Sequence, residues 1–213
     1  MKDVRSLILN TIFFGALWGL LEASLGYALH FLPQLVSGSV MFPLGAIIMY
    51  WAYRNTGKKR VILYVAMVAA SIKAINFFMP GLLPIKTYNP MISIMLQALL
   101  VIGFSYVYEA KQFVFKPMAI LSVSLGWRAL FIANIVINNA LTGFVFPQLA
   151  NTTTTLNFIF LSGLIEASFL MAAYLLSLLA KNRNSLVFKP NWILAGSTLV
   201  AAISMVVVNI VIA

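Results

Sequence analysis

The sequence predicts an all-α integral membrane protein, a single domain over residues 1–213 built as a bundle of about seven transmembrane helices with a cytoplasmic N-terminus. Three observations predict this fold class: the composition, a series of long apolar runs, and the alternation of basic residues between the runs. Apolar residues make up 62% of the chain and charged residues only 8%, against roughly 25% charged residues in soluble domains. Lipid is therefore the expected solvent.

Seven apolar runs follow one another along the chain. They lie at about 6 to 32, 37 to 53, 61 to 80, 89 to 108, 117 to 138, 155 to 180 and 191 to 212. Because a helix that crosses a bilayer needs about 20 residues, the chain has room for about seven crossings and no separate soluble domain. The second run is short and contains Pro43, so six spans remain an alternative to seven.

Residues that end helices separate the runs. These breakers are Pro33, Asn55-Thr56-Gly57, Pro80-Gly81, Pro147 and the segment 182–185. The segment 86–90 predicts the start of the fourth helix, with Asn89 as its cap and Pro90 at its first position.

The basic residues indicate the orientation, because cytoplasmic loops retain Lys and Arg. With seven spans, eleven basic loop residues lie on the side of the N-terminus, and the opposite side holds Lys86 alone. The eleven are Lys2, Arg5, Arg54, Lys58, Lys59, Arg60, Lys111, Lys116, Lys181, Arg183 and Lys189. A missing or extra span would break this alternation. The net charge of +10 is thus a topology signal, and we expect no nucleic-acid partner.

Four ionisable residues remain inside the predicted spans: Glu22, Lys73, Arg128 and Glu166. A charge at the middle of the bilayer costs about 2.5 to 3.5 kcal/mol on insertion scales, and it usually faces a partner or a water-filled cavity. Counted along the helices, all four lie roughly 10 to 17 Å from the outer ends of their spans. They can therefore meet at one depth, in the outer half of the membrane.

Two interpretations of these charges stay open. They can form structural ion bridges that hold spans one, three, five and six together, or they can line a polar pocket for a solute or an ion. Polar and aromatic neighbours at helical spacing add to the pocket. The candidate substrate-binding residues are Glu22, Lys73, Arg128, Glu166, Trp18, Asn76, Gln97 and Trp127.

One hexapeptide occurs twice in nearly the same form. Gly19-Leu20-Leu21-Glu22-Ala23-Ser24 lies in the first run, and Gly163-Leu164-Ile165-Glu166-Ala167-Ser168 lies in the sixth. The two spans are predicted to run in opposite directions. Small carriers often contain inverted repeats, and chance is the alternative for so short a match.

Small residues recur at four-residue spacing in two spans. The ridges are Gly15, Gly19 and Ala23 in the first span and Ala66, Ala70 and Ala74 in the third. Ridges of this kind let helices approach closely, either within the chain or against another subunit.

These ridges, the extreme apolarity and the small mass outside the membrane resemble the substrate-binding subunits of energy-coupling factor (ECF) vitamin transporters. The resemblance covers the organisation of most of the chain and includes no family-specific signature. Those subunits typically have six helices, and their alanine ridge belongs to the first helix, whereas the alanines here lie in the third.

The resemblance implies a vitamin-like solute that is captured from outside in the outer half of the bundle. It also implies two kinds of partner, a transmembrane coupling subunit and cytoplasmic ATPases. Lys73 and Arg128 would bind an anionic group of the solute. Glu22 and Glu166 would bind a cationic group or hold the two bases in place, and the two candidate tryptophans would stack on a ring.

Several motifs of enzymes and cofactor proteins are missing from the sequence. There is no Gly-rich phosphate loop, no cluster of His, Cys and Asp ligands, and no cysteine. We therefore expect no metal and no cofactor. Three function classes remain: a small-solute carrier or its substrate-binding subunit in the cell membrane, a membrane-embedded lipid or isoprenoid enzyme with Glu22 or Glu166 as general acid or base, and a structural subunit of a membrane complex.

Overall fold

The computed structural model describes residues 2–29, 34–109, 115–179 and 188–212. Helices make up nearly all of these ranges, and none of them contains a strand. The predicted connections at 30–33, 110–114 and 180–187 lie outside the described residues, and with them the breaker Pro33. The all-α class is confirmed.

Each of the seven apolar runs corresponds to one long helical element. The helices are α1 (Lys2–Leu29), α2 (Gln34–Thr56), α3 (Arg60–Ala74), α4 (Pro84–Glu109), α5 (Phe115–Thr142), α6 (Thr152–Leu156), α7 (Ser162–Leu179) and α8 (Trp192–Ile212). A π-helical turn, Asn157–Leu161, joins α6 to α7 without a break, and a 3-10 turn, Ile75–Phe78, extends α3. A second 3-10 turn, Pro147–Leu149, precedes α6.

Six of these elements are long and apolar enough to cross a membrane, and α2 is not among the six. With 23 residues, α2 is about 34 Å long at the usual helical rise, so its length would suffice. It contacts α1, α3, α4 and α7, and Phe42, Met49 and Ala52 are fully buried. α2 is therefore a central helix of the bundle.

The glycines of the first small-residue ridge lie against α3. A Cβ atom on Gly15 would stand 2.5 Å from the Cβ of Val68, and one on Gly19 would stand 2.6 Å from the Cδ1 of Ile72. Only glycine allows the two helices to come this close. The ridge therefore serves packing within the chain, which was one of the two uses the sequence left open.

The predicted start of the fourth helix is wrong. The helix begins at Pro84, and Pro90 lies inside it. Pro84 already provides a residue suited to the first helical turn, so the helix does not need Asn89 as a cap. Pro90 removes one backbone N–H, which leaves the carbonyl oxygen four residues earlier without its usual partner. This missing backbone hydrogen bond lies where α4 borders a cavity.

Candidate functional site

The four charges within the predicted spans form two separate sets. Arg128 and Glu166 make a direct ion pair, with Arg128 Nη2 2.9 Å from Glu166 Oε2. Glu22 and Lys73 instead line a cavity. The sequence predicted that all four residues lie at one depth, where they can meet. They do not form one cluster, because the rotation of each helix about its axis decides which side chains face each other.

The Arg128–Glu166 pair is completely enclosed, and both side chains are at most 1% exposed. Arg128 Nε also donates to Glu166 Oε2 at 3.2 Å. The other carboxylate oxygen, Oε1, accepts from the indole Nε1 of Trp127 at 2.8 Å. Both oxygens of Glu166 therefore have strong donors, which offsets the cost of burying the charge.

The remaining donors of Arg128 reach two further elements. Nη1 donates to the carbonyl oxygen of Phe158 at 3.1 Å, and Nη2 donates to Ser39 Oγ at 3.1 Å. The guanidinium carbon also lies 4.8 Å from the ring centroids of both Trp127 and Phe158, in the range of cation–π contacts. Arg128 thus joins α2, α5, α7 and the π-helical turn and keeps little capacity for a ligand.

The π-helical turn provides one of these acceptors. In an α-helix the carbonyl of Phe158 would accept from the N–H of Ser162, four residues on. Here the N–H of Ser162 bonds to Asn157 instead. The Phe158 carbonyl is therefore available to Arg128, which explains the local change of helix type.

A cavity of about 130 Å³ lies among α1, α2, α3, α4 and α5. Four of the candidate residues line it: Glu22, Lys73, Gln97 and Trp127. The other lining residues are Gly26, Gly38, Met41, Pro90, Ser93 and Ile94. The wall combines one carboxylate, one ammonium group and a few neutral polar groups with apolar surface, a composition typical of sites for small solutes.

Glu22 and Lys73 bring opposite charges to this cavity without bonding to each other. The charge of Lys73 and the indole N–H of Trp18 both act on Glu22, but neither Glu22 nor Lys73 forms an ion pair within the described ranges. Both side chains are half-buried. The two groups are therefore close enough to attract each other and too far apart to neutralise each other by contact.

Gln97 supplies the neutral polar group of the wall. Its side chain is 6% exposed, and its Nε2 donates to Ser93 Oγ at 3.0 Å, one turn earlier on α4. No other hydrogen bond of its side chain occurs within the described residues, so its carbonyl oxygen can accept from a ligand. Trp127 is shared between the two sets, because its ring borders the cavity while its N–H is bonded to Glu166.

The other two candidates lie away from the cavity wall. Trp18 is fully buried and covers Gly45 of α2, where a Cβ atom would stand 2.6 Å from the indole. Its N–H acts on the carboxylate of Glu22 without meeting the geometry of a normal hydrogen bond. Asn76 lies in the 3-10 turn after α3, where its carbonyl accepts from the N–H of Met79 at 3.0 Å. Neither residue contacts the space that a solute would occupy.

The two copies of the hexapeptide make the same kind of helix contact. In α1, Gly19 packs on Ile72 of α3, and Glu22 is influenced by Lys73 of that helix. In α7, a Cβ atom on Gly163 would stand 2.6 Å from Leu125 of α5, and Glu166 bonds to Arg128 of α5. The glycine brings two helices together, and the glutamate reaches a base on the neighbour. We call the α7 copy closed, because Glu166 bonds directly to its base, and the α1 copy open, because Glu22 borders a cavity.

Sequence reasoning missed the residues that α2 and the start of α4 contribute. Pro90 and Ser93 could have been found, because they lie seven and four residues before Gln97 and so share its helix face. Gly38 and Met41 carry no such signal. Their position depends on the central placement of α2, which no local pattern indicates.

Comparisons with protein-family models, with curated proteins and with solved structures give no match to this chain.

Proposed function

We propose that the chain is a multi-pass protein of the cell membrane that binds a small polar solute in the cavity, either as a carrier or as the substrate-binding subunit of one. One observation carries this proposal: Glu22 and Lys73 face the same cavity, and neither forms an ion pair with a described residue. An unpaired charge at this depth lowers the stability of the inserted protein. A ligand that forms an ion pair with each of the two residues would offset this cost and explain why both charges are present.

The arrangement of the remaining features supports solute binding over a structural role. An assembly subunit is expected to present its charges or its small-residue ridges outward, toward partner helices. Here Arg128 and Glu166 are satisfied inside the bundle, and Gly15 and Gly19 pack on α3. The alternative of a lipid enzyme has less support, because Glu22 is the one carboxylate among the described residues that border the cavity.

We further propose seven crossing helices with the N-terminus in the cytoplasm. The alternation of basic residues supports this orientation. The resemblance to ECF substrate-binding subunits supplies a proposed energy source, a coupling subunit with cytoplasmic ATPases. Such a partner would have to bind a surface other than the Gly15–Gly19 ridge, which α3 covers.

Thermal unfolding of the purified protein in detergent tests the solute-binding proposal. The panel contains amino acids, vitamins, nucleobases, small anions and small cations. A solute at 100 times its dissociation constant adds about 2.7 kcal/mol to the apparent stability. We expect at least one such solute, and we expect the effect to disappear in Glu22→Gln and Lys73→Met. Lys86→Met is the matched control, because Lys86 is exposed and does not line the cavity.

A stabilising solute that acts equally on the wild type, Glu22→Gln and Lys73→Met would place binding elsewhere and contradict the proposal. The absence of any stabilising solute would also contradict it. For the energy source, solute uptake is measured in cells with and without a coupling subunit and its ATPases. Uptake that is the same in both would contradict the proposed partners.

A further inference from the structure

Among the described residues of the cavity wall the charges are balanced, with one acid, Glu22, and one base, Lys73. A ligand with a single charge would bond to one of them and leave the other without a direct ion pair, which is costly in a low-dielectric site. A neutral ligand would leave both unsatisfied. A ligand with one group of each sign satisfies both at once.

The closed copy of the hexapeptide indicates what the open copy lacks. Both oxygens of Glu166 accept from N–H donors, the guanidinium of Arg128 and the indole of Trp127. Glu22 occupies the equivalent position, where the indole of Trp18 and the charge of Lys73 act on it, but no cation of the described residues forms an ion pair with it. The missing element at Glu22 is therefore a cationic group that carries N–H donors, such as an amine.

The rest of the wall fits a ligand whose two charges are joined by a short apolar segment. Met41, Ile94 and the ring of Trp127 supply apolar surface. The side chain of Gln97 adds a polar group that is buried and still has a free acceptor. A cavity of about 130 Å³ holds roughly ten water-sized groups at about 10 to 15 Å³ for each.

From this we infer that the cavity binds a small zwitterion of roughly ten or fewer non-hydrogen atoms, with its amine on Glu22 and its anionic group on Lys73. This inference rests on the proposed solute-binding function and narrows it to one chemical class. A free amino acid or an ω-amino acid belongs to this class.

A series of ω-amino acids tests the inference. Glycine, β-alanine, γ-aminobutyrate and ε-aminocaproate carry the same two charges at increasing separation. Butylamine, butyrate and butyramide are the matched cation, anion and neutral probes. Affinity is measured by thermal shift and by isothermal titration with the full-length protein. We expect one zwitterion of the series to bind at least about tenfold more tightly than each matched probe, because a charge-assisted hydrogen bond is lost with either group.

Two variants assign the ends of the ligand. In Glu22→Gln the preferred zwitterion should lose its advantage over butyrate, and in Lys73→Met it should lose its advantage over butylamine. The exchange of both residues, Glu22→Lys with Lys73→Glu, keeps one acid and one base and should restore zwitterion binding relative to the single variants. Size-exclusion profiles and melting temperatures confirm that each variant is folded.

The outcomes separate this inference from the proposal beneath it. If butylamine, butyrate or butyramide binds as tightly as the best zwitterion, the zwitterion inference is overturned while solute binding stands. The same holds if a solute of the wider panel binds and every zwitterion fails. If no solute of either panel binds, both fail.

Discussion

Arg128 Nη2 lies 2.9 Å from Glu166 Oε2 in an ion pair that is closed to solvent. Four of the five guanidinium N–H groups have acceptors: Nε and Nη2 bond to Glu166, Nη2 also bonds to Ser39, and Nη1 bonds to the Phe158 carbonyl. Because most of its N–H donors are bonded to other helices, Arg128 holds these helices together. We therefore assign Arg128 and Glu166 to the stability of the bundle, and the proposed function leaves Glu22 and Lys73 for solute binding.

The first prediction concerns this pair. Arg128→Met leaves Glu166 buried without its cation, and we expect the free energy of unfolding to fall by about 3 to 5 kcal/mol. Equilibrium unfolding in detergent micelles measures the change. The double variant Arg128→Met, Glu166→Leu removes both charges and should lose less than the single variant. A single variant as stable as the wild type would contradict the structural role.

The second prediction concerns the contact between α1 and α3. Gly15→Ala places a methyl group 2.5 Å from the Cβ of Val68, and Val68 cannot move that atom without moving its backbone. We expect a loss of about 1 to 3 kcal/mol in unfolding free energy.

Gly196→Ala is the matched control for this contact, because a Cβ atom on Gly196 of α8 meets nothing within 4 Å. Alanine favours a helix over glycine by roughly 1 kcal/mol, so this variant should be as stable as the wild type or more so. Equal effects of the two substitutions would show that the close approach is not needed.

The third prediction separates the two sets of charges. Glu22→Gln and Lys73→Met remove charges that form no ion pair within the described residues. Without ligand, each variant should therefore be within about 1 kcal/mol of the wild type in unfolding free energy, or more stable than it. Both are compared with Arg128→Met under identical conditions. If either variant loses as much as Arg128→Met, Glu22 and Lys73 form a structural bridge, and solute binding loses the observation that carries it.

The fourth prediction tests the number of crossings. The sequence has no cysteine, so single cysteines can be placed at exposed sites without a background: Arg5→Cys, Arg54→Cys and Thr153→Cys. With seven spans and a cytoplasmic N-terminus, a membrane-impermeant maleimide should label only Thr153→Cys in intact cells. The other two should react after permeabilisation. If α2 did not cross, the label would reach position 54 from outside and would not reach position 153.

The positions of the helices were predictable from the sequence. Each apolar run became a helix, and Gly57 ends α2 with a φ of +66° and an N–H bonded to the Tyr53 carbonyl at 2.8 Å. The start of α4 was not predicted, because Pro84 and Pro90 both suit a first turn and only packing distinguishes them. The end of a helix was predicted correctly where the sequence contains one local signal, as at Gly57. It was predicted wrongly where two signals compete, as at Pro84 and Pro90.

The candidate site was predictable in part, and the reason is visible in Trp18 and Gln97. Both are large side chains on apolar helices, Trp18 one turn from Glu22 and Gln97 near the middle of its span. Trp18 covers Gly45 of α2, while Gln97 borders the cavity. Spacing along one helix places a residue on a face, but it does not say which helix covers that face.

The sequence by itself determined where helices form and which charges lie within them, because apolar runs and breakers act through local chemistry and solvent. The tertiary structure alone decided that Glu166 meets Arg128 and that Glu22 faces a cavity with Lys73. The physical reason is that ion pairing depends on distances of a few ångströms between helices. Those distances follow from how the helices rotate and pack, which here depends on glycines such as Gly19 and Gly163 that let neighbours approach.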